Sequence, residues 1–252
     1  MIIPYNPAVC YDSAVASKTS PSAVKELRAA ADPVRAKLCQ RYFKTGPGEY
    51  GAGDIFMGIT VPVQRKIARR YQELGLKELA KLISSDLHEC RFTALVILVS
   101  QYERAPEAER AKIVAFYLKN RKHVNNWDLV DTSAPYILGD WLMDKDRSIL
   151  YTLVNSKTIW DRRIAVLATF MFIEKGDFKD SLRLAYLLMN DRHDLMHKAV
   201  GWMLREVGKK SRPTLEKFLC VHAGHMPRTM LRYAIERLPD KKRREYLSVK
   251  VV

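Results

Sequence analysis

The stretch "HVNNWDLVDTSAPYILGDWL" (123–142) sets Trp127 and Asp131 four residues apart. On a helix that spacing stacks an indole and a carboxylate one turn apart on one face. Asn125 or Asn126 can cap such a helix, placing Trp127 in its first turn and Asp131 in its second. Pro135 withdraws a backbone donor and should kink the helix. Asp128 reads as a first-turn carboxylate that complements the helix dipole. A bland reading makes Trp127 a core residue and Asp131 an exposed acid. The neighbourhood argues against it. Arg162 and Arg163 follow Trp160, and Lys198, Trp202 and Arg205 follow at i, i+4 and i+7.

The surrounding chain is basic. It has 252 residues, 43 Lys+Arg against 28 Asp+Glu, and a formal net charge of +15. That excess repels itself unless a polyanion offsets it, with nucleic acid the first candidate and an anionic membrane surface the second. A carboxylate inside a basic, indole-bearing groove weakens plain DNA binding, so it asks for a chemical reason. Release of a cationic alkylated purine supplies one. The base already carries a positive charge and leaves without a general acid, while the sugar develops oxocarbenium character, as in glycoside hydrolysis. A carboxylate ~4 Å from a unit charge contributes ~4 kcal/mol at an effective dielectric of ~20, or ~10³ in rate. The same group can orient the attacking water, and at an ordinary pKa of ~3.9 it is ionised.

The elements that must position these groups read as helices throughout. "EAERAKIVAFYLKN" places Ile113, Phe116 and Tyr117 on one side. "DRSILYTLVNSK" offers Asp146 as N-cap and an apolar stripe of Ile149, Leu150, Leu153 and Val154. "DSLRLAYLLMN" and "RPTLEKFLCVH" follow suit, the second with Pro213 near its start. Ala94, Leu129, Ala165, Ala199 and Ala234 recur at intervals of 35, 36, 34 and 35 residues. A sustained period of this length marks a helical-repeat solenoid. One period earlier falls near Ile59, at the start of another helix, so about six helix pairs fit. The expectation is an all-α solenoid with residues 1–22 as an N-terminal tail and 23–252 as a single domain.

Other constellations carry less. "FKTGPGEYGAGDIFMGI" (43–59) holds five of the eleven glycines. No Gly-Lys-Ser/Thr follows it and no strand precedes it, so it reads as a structured inter-helix loop with several positive-φ positions rather than a nucleotide cradle. His193 and His197 have an i, i+4 spacing, but Asp194 stands where a zincin has glutamate, and the expectation is no metal. Cys10, Cys39, Cys90 and Cys220 form no CxxC pair and read as free thiols of a reducing compartment. No signal peptide and no apolar run of spanning length is apparent, and the longest run, "FTALVILV" (92–99), reads as a buried helical turn. These features point to a cytoplasmic protein. The C-terminal "PDKKRREYLSVK" is a solvated basic run with scope for phosphate contact.

On "NNWDLVDTSAPYILGDWL", "TIWDRRIAVLATF", "HKAVGWMLREVGKK" and "GITVPVQRKIARRY", in that family's expected order apart from the N-terminal entry segment quoted last, the chain resembles the AlkD-type DNA alkylation repair family, the HEAT-like-repeat DNA glycosylases. The likeness covers roughly residues 25–245. It implies a C-shaped HEAT-like solenoid whose basic concave face wraps duplex DNA and excises N3- and N7-alkylated purines without base flipping, metal or cofactor. By resemblance Asp131 is the catalytic carboxylate, and Trp127 and Trp202 contact the deoxyribose of the lesion. Arg163 holds the backbone near the lesion, and Arg65, Lys198 and Arg205 are further DNA contacts. A monomer on alkylated double-stranded DNA, nucleoid-associated when bound, is the implied working form. The glycine-rich stretch and the N-terminal tail exceed the simplest members. The family also includes paralogues that bind branched or damaged DNA without excision, and a helical-repeat scaffold for an acidic protein is a third possibility.

Overall fold

A computed structural model describes residues 18–249. Its α-helices are α1 (Ser20–Ala29), α2 (Pro33–Tyr42), α3 (Val61–Arg70), α4 (Leu76–Ile83), α5 (His88–Arg104), α6 (Glu107–Asn120), α7 (Trp127–Ala134), α8 (Ser148–Val154), α9 (Ile159–Ala168), α10 (Phe170–Glu174), α11 (Lys179–Leu187), α12 (Asp194–Lys210), α13 (Arg212–His222), α14 (Arg228–Ala234) and α15 (Asp240–Ser248). Extended pairing among the described residues is limited to an isolated bridge between Ile55 and Leu87. None of these helices is long and apolar enough to cross a membrane. The tail expected over 1–22 lies mostly outside the described residues, and its last three belong to α1, which a reciprocal Thr19–Ser22 capping box starts.

The repeat is visible as a layer. Helices α3, α5, α7, α9, α12 and α14 pack on one another in chain order, and α4, α6, α8, α11 and α13 back them as a second layer. The periodic residues explain the stacking. Ala94, Leu129, Ala165, Ala199 and Ala234 are all buried on the inner helices, where mostly small side chains let neighbours approach. Their burial, with that of Leu95, Leu98, Ile137, Ile164, Met196, Met203 and Leu231, makes one continuous core along the stack. This is the all-α helical-repeat architecture the spacing implies, with six inner helices.

Local signals mostly act where the sequence places them. The segment 107–120 is α6, and its Ile113 and Tyr117 are buried. Helix α13 has Pro213 in its first turn. At α8 the N-cap position falls on Arg147 rather than Asp146. The Asp146 carboxylate still accepts from the Ser148 amide at 3.2 Å, so the capping oxygen comes from one residue earlier. Pro135 ends the regular hydrogen bonding of α7. Having no N–H, it cannot bond the Asp131 carbonyl, and the chain widens into a π-helical turn over Pro135–Gly139.

The glycine-rich segment is a built loop. Lys44, Gly48, Gly53 and Gly58 all have positive φ. At Gly58 (φ +80) a Cβ would sit 2.2 Å from the Asp32 carbonyl oxygen, so only glycine lets the loop close on the start of α2. At Gly51 a Cβ would lie 2.4 Å from the Phe43 carbonyl oxygen, a clash between the two limbs of the loop. Glu89, buried at the start of α5, accepts from the amides of Met57, Gly58 and Ile59 at 2.8–3.2 Å and fixes the loop's exit. Three amides on one carboxylate satisfy a buried charge that would otherwise be costly.

Candidate active site

Helix α7 begins at Trp127 because Asn126 turns the chain. Asn126 is extended (φ −150°, ψ 158°), and its side-chain oxygen accepts from the Trp127 amide at 2.9 Å. Its amide group donates to Asp54 Oδ2 of the glycine-rich loop at 3.0 Å, so the cap is tied to the loop. Of the two candidate caps, Asn126 is the one used.

Asp131 lies one turn on and faces α9. Arg163 donates to it through Nε and Nη2, to Oδ1 and Oδ2, both at 2.8 Å. The remaining Arg163 Nη1 donates to the Leu195 carbonyl oxygen at 2.9 Å, at the start of α12. One guanidinium thereby joins three successive inner helices. Its side chain is only 6% exposed and that of Asp131 18%. Burial pushes the Asp131 carboxyl up from its ordinary range, the Arg163 guanidinium pulls it back down, and Asp128 adds a smaller upward push. Arg163 therefore holds Asp131, with its own side chain largely buried.

Trp127 is half-buried and stacks on Phe43 with ring centroids 5.1 Å apart and planes 8° apart. Tyr42 meets the same indole edge-on at 5.9 Å. Phe43 stacks in turn on Phe56 at 4.7 Å, and Phe56 on His88 at 4.3 Å. His88 is the hub beneath. Its Nδ1 lies 3.0 Å from Asp54 Oδ2 and its Nε2 2.8 Å from Asp128 Oδ2. Arg91 also bonds Asp54. Burial disfavours the imidazolium, but the two carboxylates outweigh it and the His88 pKa rises. Asp128 thus does more than complement the helix dipole, since it fastens α7 to α5.

Trp202, on α12, is oriented by Glu206, whose Oε1 accepts from the indole Nε1 at 3.0 Å. Glu206 also accepts from Lys209 at 2.9 Å and lies 3.4 Å from Arg205 Nη2. Arg205 makes a second ion pair with Glu236. Lys198 pairs with Asp194 at 2.8 Å, and this bond raises the lysine pKa and lowers that of the aspartate, keeping both charged.

Trp127, Arg163, Lys198, Trp202 and Arg205 line one cleft of about 900 Å³, with Arg41, Lys44 and Tyr50 among its other walls. Asp131 does not itself line this cleft and adjoins it through its hydrogen bonds to Arg163. Arg65 is elsewhere. It is exposed and lines a separate depression of about 590 Å³ with Arg69, Ser100 and Tyr136. Phe43, Tyr50, His88, Asp54 and Glu206 are absent from the sequence reading of the site. The glycine cluster hints at Phe43, Tyr50 and Asp54, by marking a loop that must turn several times, and nothing in the spacing points to His88 or Glu206. The histidines spaced like metal ligands serve the backbone instead, for His193 Nδ1 accepts from the Leu195 amide and His197 Nε2 lies 2.6 Å from the Asp191 carbonyl oxygen.

A basic, indole-walled cleft over a clamped carboxylate suits a nucleic acid ligand with a cationic centre. No curated protein matches the chain. Among solved structures, it is similar to a predicted DNA alkylation repair enzyme from Enterococcus faecalis, with 17% identity over 83% of this chain and 97% of that one and a TM-score of 0.66. That likeness shows a shared fold. The family model described as DNA alkylation repair enzyme matches residues 23–238, so the chain belongs to the DNA alkylation repair enzyme family.

Proposed function

We propose that the protein is a monofunctional DNA glycosylase that releases cationic N3- and N7-alkylated purines from duplex DNA. The observation that carries this reading is the Asp131 carboxylate, clamped in two hydrogen bonds by Arg163 beside a cleft walled by Trp127 and Trp202. Arg163 uses two of the roughly four acceptor positions of the carboxylate, which leaves others for a water or for the sugar. The reaction breaks the C1′–N bond. The base leaves as a neutral purine with the bonding electron pair, and water adds to C1′ and gives up a proton.

The electrostatics favour this step. Asp131 at ~4 Å from the developing sugar cation contributes ~4 kcal/mol at an effective dielectric of ~20. The Arg163 charge, ~8 Å from the same point, offsets ~2 kcal/mol. The net gain is about 2 kcal/mol, ~30-fold in rate. Trp127 and Trp202 add attraction for cationic character through their ring faces. Arg41, Lys44, Lys198 and Arg205 supply positive charge for the phosphates on either side. On this reading the lesion stays in the duplex, and the protein acts as a cytoplasmic monomer without metal or cofactor.

A second reading is a binding-only protein for branched or damaged DNA, and one observation favours it: Arg163 partly neutralises the carboxylate it positions. The two part on a single assay. Alkylated duplex incubated with the protein releases 7-methylguanine or 3-methyladenine in the first case and no base in the second.

A further inference from the structure

Tyr50 stands at the tip of the glycine-rich loop and lines the cleft together with Trp127 and Trp202. Its ring meets Trp160 edge-on at 6.1 Å and 74°, and His193 at 6.2 Å and 71°. Its hydroxyl donates to the Tyr42 carbonyl oxygen at 3.4 Å. The loop delivers this ring from a fixed frame. The Gly46 amide donates to Glu49 Oε2 at 2.9 Å, and the Gly51 amide donates to the Lys44 carbonyl oxygen at 2.9 Å, so Tyr50 is braced on both sides. Asp54, four residues on, is locked to His88, Arg91 and Asn126.

The surroundings give the ring a purpose. Arg41, Lys44, Lys198 and Arg205 make the cleft basic, which suits phosphates and repels a cationic base. Tyr50 and His193 are walls of that cleft, and Trp160 meets the Tyr50 ring edge-on, so the three rings form one patch. Burial raises the Tyr50 pKa and lowers that of His193, so both are uncharged at neutral pH. A patch without positive charge, presenting ring faces and edges within a basic cleft, is where a positively charged heterocycle meets least repulsion and most attraction.

We infer that Tyr50 is a specificity-determining residue that contacts the substrate, an aromatic wall beside Trp127 and Trp202 that selects a cationic nucleoside over an uncharged one. This rests on the glycosylase reading for its substrate class. The cation of an N7-methylated guanine is the chemistry the patch takes, and the phosphates are left to the surrounding lysines and arginines.

The test uses three duplexes alike except at one position, which holds guanine, 7-methylguanine or the uncharged 7-deaza-7-methylguanine. Binding of wild type, Tyr50→Leu and Tyr50→Phe is followed by fluorescence anisotropy, and base release from the methylated duplex by single-turnover kinetics. Tyr50→Leu is expected to slow release about tenfold and to weaken binding of the 7-methylguanine duplex alone. Tyr50→Phe, which keeps the ring, is expected to match wild type. Unchanged melting temperatures show that both variants fold. Wild-type release by Tyr50→Leu, or equal weakening on all three duplexes, overturns the inference. Wild type that releases no base defeats the glycosylase reading instead. The inference is then decided by binding alone, and it falls if Tyr50→Leu leaves the preference for 7-methylguanine over its deaza analogue unchanged.

Discussion

Arg163 grips Asp131 with two parallel hydrogen bonds of 2.8 Å across a gap of 32 residues, one repeat apart in the chain. The period that stacks α9 on α7 is what makes this pair possible. Bidentate geometry fixes the plane of the carboxylate, not merely its distance. In the proposed glycosylase, Arg163 is accordingly a positioning residue, and Asp131 the group that faces the reacting sugar.

A pH profile reads that relationship. Asp131 must be ionised to act, so base release falls as pH drops through its pKa. Burial sets that pKa above the ordinary carboxylate range, and Arg163 holds it back. Arg163→Gln removes the restraint, and the acid limb of single-turnover release should move to higher pH. Arg163→Lys keeps the charge but not the fork, so its limb should move less. An acid limb that stays in place in Arg163→Gln would mean that the activity does not titrate with Asp131.

Glu206 offers a separate handle on Trp202. It aims the indole through one hydrogen bond and also sits beside Arg205 and Lys209. Glu206→Ala should cut base release about tenfold by freeing the ring, at ~1–1.5 kcal/mol for the lost bond. Affinity for undamaged duplex should not fall, because two cations lose a competing anion. Weaker binding to undamaged duplex would show that the side chain matters for the fold of α12 rather than for the indole.

The loop anchor predicts stability. Glu89 accepts three backbone amides in a buried setting. Glu89→Ala leaves these donors unpaired and should cost about 3 kcal/mol in urea unfolding. A loss below about 1 kcal/mol would mean that water replaces the carboxylate and that the loop is held by its glycine geometry alone.

Salt dependence measures the basic walls. Each phosphate contact contributes about −0.9 to the slope of log affinity against log salt. Lys198→Ala should reduce the magnitude of the slope by no more than about 1 and weaken all duplexes alike. Because Lys198 is already paired with Asp194, the change should be smaller than for Lys44→Ala, whose nearest acid, Glu49, is 3.9 Å away. The reverse order would place Lys198 nearer to the DNA backbone.

Much of this arrangement is legible in the sequence, for physical reasons. Ala94, Leu129, Ala165, Ala199 and Ala234 sit where inner helices touch, so the packing imposes their period. Trp127 and Asp131 share a helix face by spacing alone, and Trp202 and Arg205 follow the same rule on α12. What spacing does not give is the partner of each polar group. Arg163 has five donors and many candidate acceptors, and only the stacking of α7, α9 and α12 sends them to Asp131 and Leu195. The loop residues are harder still. Tyr50 and Asp54 arrive through positive-φ turns that have no period, and the Asp54–Asn126 bond joins residues 72 apart. His88 reads as an ordinary helix-start residue until Asp54 and Asp128 are seen on its two nitrogens.

The central claim is that Asp131 supplies the charge that stabilises the sugar as the base leaves. The most direct measurement is single-turnover release of 7-methylguanine from duplex DNA by wild type and Asp131→Asn, with duplex affinity measured alongside. In the variant the Arg163 charge remains as an offset, so the whole Asp131 contribution of ~4 kcal/mol is lost. The account predicts base release by wild type, a fall of about 10³ in Asp131→Asn, and affinity within a few-fold of wild type. Release by the variant at the wild-type rate would contradict it.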